Sequence, residues 1–318
     1  MSKKQINLKK NPNLKWLVLV ALIVMVLAIP GYNWMKGNNK ARAQRQKSIL
    51  SPVIMVPGSS ATTERFNQLV NQLNRDTPVK HSVLKINVST KGVLSYSGTI
   101  NKNDHEPFII IGFQNNKDGY SNIKKQAGWL DQAFYAISQN YKFNNFKAFG
   151  HSNGGLIWTY WLEHYYSTYS DEITMKRLMM LGTPYNFSES NINHRTQMLE
   201  DLIKDKKKIP QNLVVYSLSG GKNYESDGIV PEASVAAGKY IFQNQVKNYT
   251  AMTVTGEEAD HSDLPQNQQV VQVIEQYLLE PVKNKNNQGP ATRQSSSKDK
   301  SNGRNEQNQF KSVENFDI

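Results

Sequence analysis

The chain has 318 residues, no cysteine and a formal net charge of +12, with 38 Lys and Arg against 26 Asp and Glu. Lacking cysteine, it can form no disulfide, no thiolate metal site and no cysteine nucleophile. The charge sits at the ends: residues 1–47 hold ten basic groups and no acid, residues 283–318 hold seven basic and four acidic groups, and the body between them is nearly neutral at −1. A nearly neutral body lacks the basic face of a nucleic-acid-binding core, so no nucleic acid partner is expected.

The chain opens with a basic segment, 1–15, that holds five lysines. From Trp16 to Met35 there are 20 residues without a charge, centred on the apolar run Leu17 to Ile29. As a helix, such a stretch spans ~30 Å, about the hydrocarbon thickness of a bilayer. Trp16 at one end, and Tyr32 and Trp34 at the other, suit its two interfaces. Residues 16–35 therefore read as a transmembrane anchor. The competing reading is a cleaved signal peptide with its apolar region at 17–29 and a small-residue site at Ala41-Arg42-Ala43, which lies far past the apolar run and contains an arginine. A basic linker, 36–49, follows with five more basic groups, so the charge bias alone leaves orientation open. A short N-terminus ahead of a large C-terminal domain favours an outward-facing domain.

Residues 50–281 read as one domain in which strands and helices alternate. Pro52 to Val56 is an apolar strand entering the turn Pro57-Gly58-Ser59-Ser60. His81 to Ser89 alternates apolar and polar residues, Gly92 to Ser97 can return beside it, and Pro107 to Phe113 is a strong strand candidate. Ile123 to Ile137 has helical spacing, with Trp129, Leu130, Ala133, Phe134 and Ile137 on one side. A strand at Phe146 to Phe149 leads into Gly150-His151-Ser152-Asn153-Gly154 and then a helix from Gly155. Lys176 to Leu181, Leu213 to Leu218 and Tyr249 to Thr255 are further strands, and Gln268 to Leu279 is helix-like. The polar stretch 186–210 is a candidate cap over a site. The tail 282–318, rich in Asn, Gln, Ser and Lys, is expected to be disordered. Alternating strands and helices imply a mostly parallel sheet with helices on both faces.

Gly150-His151-Ser152-Asn153-Gly154 has the form of a nucleophile elbow, G-x-S-x-G, in which a serine sits on a strained strand-to-helix turn. The turn is tight enough that a Cβ at the flanking positions would strike the neighbouring strand or helix. The pattern recurs by chance, so its partners must decide. Where this elbow is used, an acid and then a histidine follow along the chain. Only His164, His194 and His261 lie downstream of Ser152. His164 is three turns into the following helix and His194 has no strand before it, whereas His261 follows the strand 249–255 and a short loop. Asp227 occupies the equivalent loop after the strand 213–218, with Glu225 and Asp260 as its rivals. Ser152, Asp227 and His261 thus stand in order as nucleophile, acid and base. A serine hydroxyl attacks only when an imidazole takes its proton, and a carboxylate fixes that imidazole's tautomer. An oxyanion hole then calls for backbone N–H donors, here expected from Asn153 and from Ser59.

Other conspicuous residues have plainer readings. His151 is expected to pack within the elbow, and the aromatic run Trp158 to Trp161 to serve as helix core. Asp118 and Asp104 suggest turns, since no alternating-acid calcium loop surrounds either. No metal cluster or phosphate-binding loop appears, so no cofactor is expected.

These motifs resemble those of the α/β-hydrolase-fold cell-surface hydrolases of Gram-positive bacteria, a group largely of unassigned substrate. The resemblance covers roughly residues 50–281. It rests on Val56-Pro57-Gly58, the elbow, Leu181-Gly182-Thr183-Pro184-Tyr185-Asn186, Ser226-Asp227-Gly228-Ile229-Val230-Pro231 and His261-Ser262-Asp263-Leu264. Matched onto these motifs, the family's nucleophile, acid and base fall on Ser152, Asp227 and His261. The chain departs at the oxyanion turn, where Pro57-Gly58 stands in place of the usual His-Gly. The resemblance implies an α/β-hydrolase fold, which the reading of 16–35 sets behind a single N-terminal transmembrane helix. With that helix as its membrane anchor, the chain is expected to be an extracellular serine hydrolase of a small or lipid-like acyl ester. A non-catalytic surface binding protein on the same fold, and a peptidase or acyltransferase using the same triad, are the alternatives.

Overall fold

A computed structural model describes residues 12–75, 80–221, 225–256 and 258–280. Most of the basic segment 1–15 and the whole of the tail 282–318 lie outside the described residues. The first element is a single helix, α1 (Pro12–Gln46), 35 residues long. The expected span 16–35 lies within it, and the basic stretch expected as a linker stays helical as far as Gln46. From Lys15 onward it is long and apolar enough to cross a membrane.

The domain that follows is built on β1 (Val53–Val56), α2 (Asn67–Leu73), β2 (Val83–Val88), β3 (Leu94–Gly98), β4 (Phe108–Phe113) and α3 (Tyr120–Tyr141). It continues with β5 (Asn145–His151), α4 (Asn153–His164), β6 (Thr174–Leu181), α5 (Gln197–Asp205), β7 (Val214–Gly221), α6 (Glu232–Ala236), α7 (Lys239–Phe242), β8 (Asn248–Thr255) and α8 (Gln268–Val273). The eight strands form one sheet in the order β3-β2-β4-β1-β5-β6-β7-β8. Every pair is parallel except β2 with β3, which turn back on each other at the edge.

Successive side chains of a strand point to opposite faces, and the central strands bury both. Ile54 and Val56 of β1 and Ile109 and Ile111 of β4 enter one core with α3, α4 and α5. Val53, Met55, Phe108 and Ile110 enter the other with Leu69, Val70 and Leu73 of α2 and Val270 and Val271 of α8. The sheet is thus covered on both sides, as its continuous apolar strands require. The aromatic run in α4 is core: Trp158 and Trp161 are fully buried, and Trp161 Nε1 donates to Asp131 at 3.1 Å. Because seven neighbouring strands run parallel, the loops after β1, β5, β6 and β7 all emerge at one end of the sheet. That end carries the site.

Candidate active site

Ser152 lies between the end of β5 and the start of α4, at φ +55°. That left-handed backbone is strained for a serine and points its side chain out of the turn. Two glycines make room. A Cβ on Gly154 would run into the Val56 carbonyl of β1, and one on Gly58 would sit 2.6 Å from the Ser152 Cβ. The chain after β1 therefore passes directly beside the serine.

His261 and Asp227 come to the same place from later loops. His261 Nε2 is 2.9 Å from Ser152 Oγ, and its Nδ1 is 2.6 Å from Asp227 Oδ2. A carboxylate only accepts, so Nδ1 carries the proton and Nε2 presents its lone pair to the serine hydroxyl. The other carboxylate oxygen of Asp227 accepts from the backbone N–H groups of Val230 at 2.7 Å and Ile229 at 3.1 Å. The His261 N–H in turn donates to the Asp227 carbonyl at 2.8 Å. Side chain and backbone together fix the acid against the histidine, and all three groups are buried.

Asn153 is the first residue of α4, a 12-residue helix whose opening N–H groups have no intrahelical acceptor and whose dipole is positive there. Ser59 follows Gly58 in the turn that skirts the serine, and both Ser59 and Asn153 line the pocket above it. This turn is tied down by Ser60 N–H to the Asn116 carbonyl at 2.8 Å and by Asn116 Nδ2 to the Ala61 carbonyl at 2.9 Å. The pocket measures about 720 Å³, and Ala61, Tyr120, Pro184, Phe187, Ile229 and Val230 supply its apolar walls. That size suits a small organic ligand.

The remaining sequence candidates fall elsewhere. His164 stacks on Tyr160 at the far end of α4, and His194 is exposed beside Glu189. His151 is buried, with Nε2 3.0 Å from the His261 carbonyl and its ring 4.8 Å from the His261 ring. Burial foremost, with His261 and Arg65 nearby, holds its pKa well below the usual imidazole value, so it stays neutral. Of the candidate cap 186–210, Phe187 and Ser188 line the pocket, whereas Met198, Leu199 and Leu202 of α5 are buried in the core.

Two residues of the site have no signal in the sequence. Asp118, read there as a turn, accepts from Asn153 Nδ2 at 2.7 Å and so orients the residue after the serine. Arg65 lines the pocket and donates to the Ser262 carbonyl, bracing the loop that carries His261. Only a map of the tertiary neighbours would have found either.

A mostly parallel sheet with a positive-φ serine at its strand-to-helix turn, and an acid and a histidine on later loops, defines an α/β hydrolase. The chain belongs to the alpha/beta hydrolase family of unknown function DUF915, whose model matches residues 40–281. It is similar to a protein from Lactobacillus plantarum WCFS1 provisionally described as a cell surface hydrolase. The two share 52% identity with a TM-score of 0.67 over 73% of this chain and 92% of that one. It is also similar to a protein from Listeria innocua, at 24% identity and a TM-score of 0.66 over 73% of this chain and 94% of the other. At that identity the likeness speaks for the fold alone. No curated protein matches the chain.

Proposed function

We propose that this α/β hydrolase is a membrane-anchored serine hydrolase that cleaves an ester, or a related acyl bond, outside the cell through an acyl-enzyme. The observation that carries the reading is the Ser152–His261–Asp227 row, hydrogen-bonded from end to end at the floor of a pocket. Ser152 Oγ attacks the acyl carbon as His261 Nε2 takes its proton. Asp227 holds the tautomer and stabilises the imidazolium that forms. The carbonyl oxygen, now negative, is received by the Ser59 and Asn153 N–H groups, where one such donor is typically worth ~3–4 kcal/mol of transition-state stabilisation. The imidazolium returns its proton to the leaving alcohol, and water then releases the acid by the same steps in reverse roles.

The anchor is the exposed apolar stretch of α1, and the surface description of the Lactobacillus relative supports an outward-facing domain. The test is a series of p-nitrophenyl esters of rising acyl length, followed on the millisecond scale. An acyl-enzyme predicts a burst of nitrophenol stoichiometric with protein, then a slower steady rate. Failure to turn over any acyl length would make a binding protein the better account.

A further inference from the structure

Helix α1 meets the domain at one end of the sheet only. Asn144, just before β5, gives its Nδ2 to the carbonyls of Arg45 at 3.0 Å, Gln46 at 3.3 Å and Ser48 at 3.3 Å. The first two belong to the set that a helix C-terminus leaves without intrahelical partners. Arg45 is 5% exposed; its Nη1 donates to the Phe143 carbonyl at 3.0 Å and its Nε pairs with Glu172 at 3.2 Å. Arg42 pairs with the same carboxylate at 2.9 Å. The connection onward has no slack either, since Ser51 N–H donates to the His105 carbonyl at 2.7 Å.

Phe143 and Asn144 precede β5, and Glu172 precedes β6, so every docking contact lies at the N-terminal ends of these parallel strands. Ser152, Asp227 and His261 lie beyond the opposite ends. The seven residues of β5 separate the two, at ~3.3 Å each about 23 Å of strand. Toward its own N-terminus α1 leaves the domain. Trp34, Met35 and Asn38 share a cleft with Gln139 in the last turns of α3, and every residue from Trp16 to Met35 is exposed.

The pocket mouth points the same way in its chemistry. An enzyme that dips into a bilayer presents a contiguous apolar rim. Here Ile229 is the single large apolar residue exposed at the mouth among the described residues, and its neighbours Ser60, Asp118, Ser188 and Ser262 are exposed and polar.

We infer that α1 holds the pocket facing away from the bilayer in which it is anchored, so that the substrate is a hydrophilic, water-borne acyl ester and not a lipid of that same bilayer. This rests on reading Ser152 as the nucleophile and 16–35 as the span. A tether that cannot bring two sites together reduces their effective concentration towards zero.

The chain has no cysteine, so single-cysteine variants of the full chain can each carry one dye. Ser170→Cys places it on the loop before β6, at the docking end, and Ile229→Cys places it at the mouth. In phosphatidylcholine vesicles with acceptor dyes on the headgroups, transfer from position 170 should exceed that from 229 several-fold. Equal or reversed transfer, in a chain that resists carbonate extraction, overturns the orientation alone; a chain that carbonate removes overturns the anchor and the inference together. A second arm compares a soluble p-nitrophenyl ester with a fluorogenic ester lipid in the chain's own vesicle. The lipid should be turned over more than ~10-fold more slowly. A Gly/Ser insert of about 30 residues after Gly37, between the span and the docking contacts of Arg42 and Arg45, with a reach of ~30 Å, should raise the lipid rate and leave the soluble rate unchanged. Equal rates in the native chain contradict the inference, and absence of both sinks the hydrolase reading beneath it.

Discussion

At its lower end β5 buries Lys147 completely, against Glu106 and, at 3.2 Å, Glu280; at its upper end it releases Ser152 into a pocket of about 720 Å³ beside His261. Both ends bring buried polar groups together from distant parts of the chain. They differ in what the groups face. Lys147 is enclosed, and the Glu106 carboxylate that receives it also accepts from the Glu280 N–H at 3.0 Å. That arrangement ties the chain before β4 and the segment after α8 to the middle of the sheet. Burial pushes the Glu106 carboxyl up against the pull of Lys147. At the upper end the row of hydrogen bonds stops at a hydroxyl that opens onto space. Burial and pairing by themselves mark structure, and it is access that makes a site. The anchoring contacts of α1 extend the same division, since they too gather at the lower end.

The comparison breaks first at Asp227. If the upper row does chemistry, Asp227→Asn should keep the geometry but favour the wrong imidazole tautomer, lowering kcat by a factor on the order of 10⁴. Glu225→Gln and Asp260→Asn should change steady-state rates far less. Should either match the Asp227→Asn loss, the acid is misassigned.

The lower end should respond in stability instead. Lys147→Met leaves Glu106 buried without its cation, a loss of about 3–5 kcal/mol in urea unfolding. The folded fraction should keep its kcat, because Lys147 is a strand's length from Ser152. Replacing Glu106 by Leu in the same chain should restore part of the lost stability. A Lys147→Met protein of unchanged stability but impaired turnover would invert the comparison.

A smaller effect per unit of pH comes from Glu163, at the far end of the helix that begins beside Ser152. It is buried, and neither carboxylate oxygen has a hydrogen-bond partner among the described residues. Burial, reinforced by Asp205, pushes its pKa up to about 9. The unfolded chain ionises this group near the ordinary 4.5, so its contribution to stability is complete below that pH. Between about 4.5 and 9 the folded protein should lose ~1.4 kcal/mol per pH unit on its account, and nothing further above 9. Glu163→Gln should remove that slope from urea midpoints measured across the window. Parallel slopes for the two proteins would mean that the group is solvated in solution.

The upper end was readable in the sequence because its signals are local. Five residues spell the elbow, and Asp227 and His261 each follow an apolar run that forms a strand, β7 and β8. The alternation at 81–89, the returning strand and the apolar run at 107–113 correspond to β2, β3 and β4 for the same reason. What stayed hidden depends on distant partners. Lys147 reads as one polar residue in an apolar stretch, and only the fold brings Glu106 and Glu280 to it. The stretch 36–49 reads as a linker because the Asn144 amide that receives it lies nearly a hundred residues on. Asp118 has the local grammar of a turn, and its bond to Asn153 appears only when α3 and α4 pack together. The helix α2, seven residues of NQLVNQL, is too short for its period to stand out.

The central claim is that Ser152 is the nucleophile. A fluorophosphonate probe added to the full chain, followed by peptide mass spectrometry, tests it most directly. The account predicts one covalent adduct, on the peptide containing Ser152, which disappears in a Ser152→Ala protein of unchanged circular dichroism. Undiminished labelling of that folded variant, or an adduct on another residue, would contradict it.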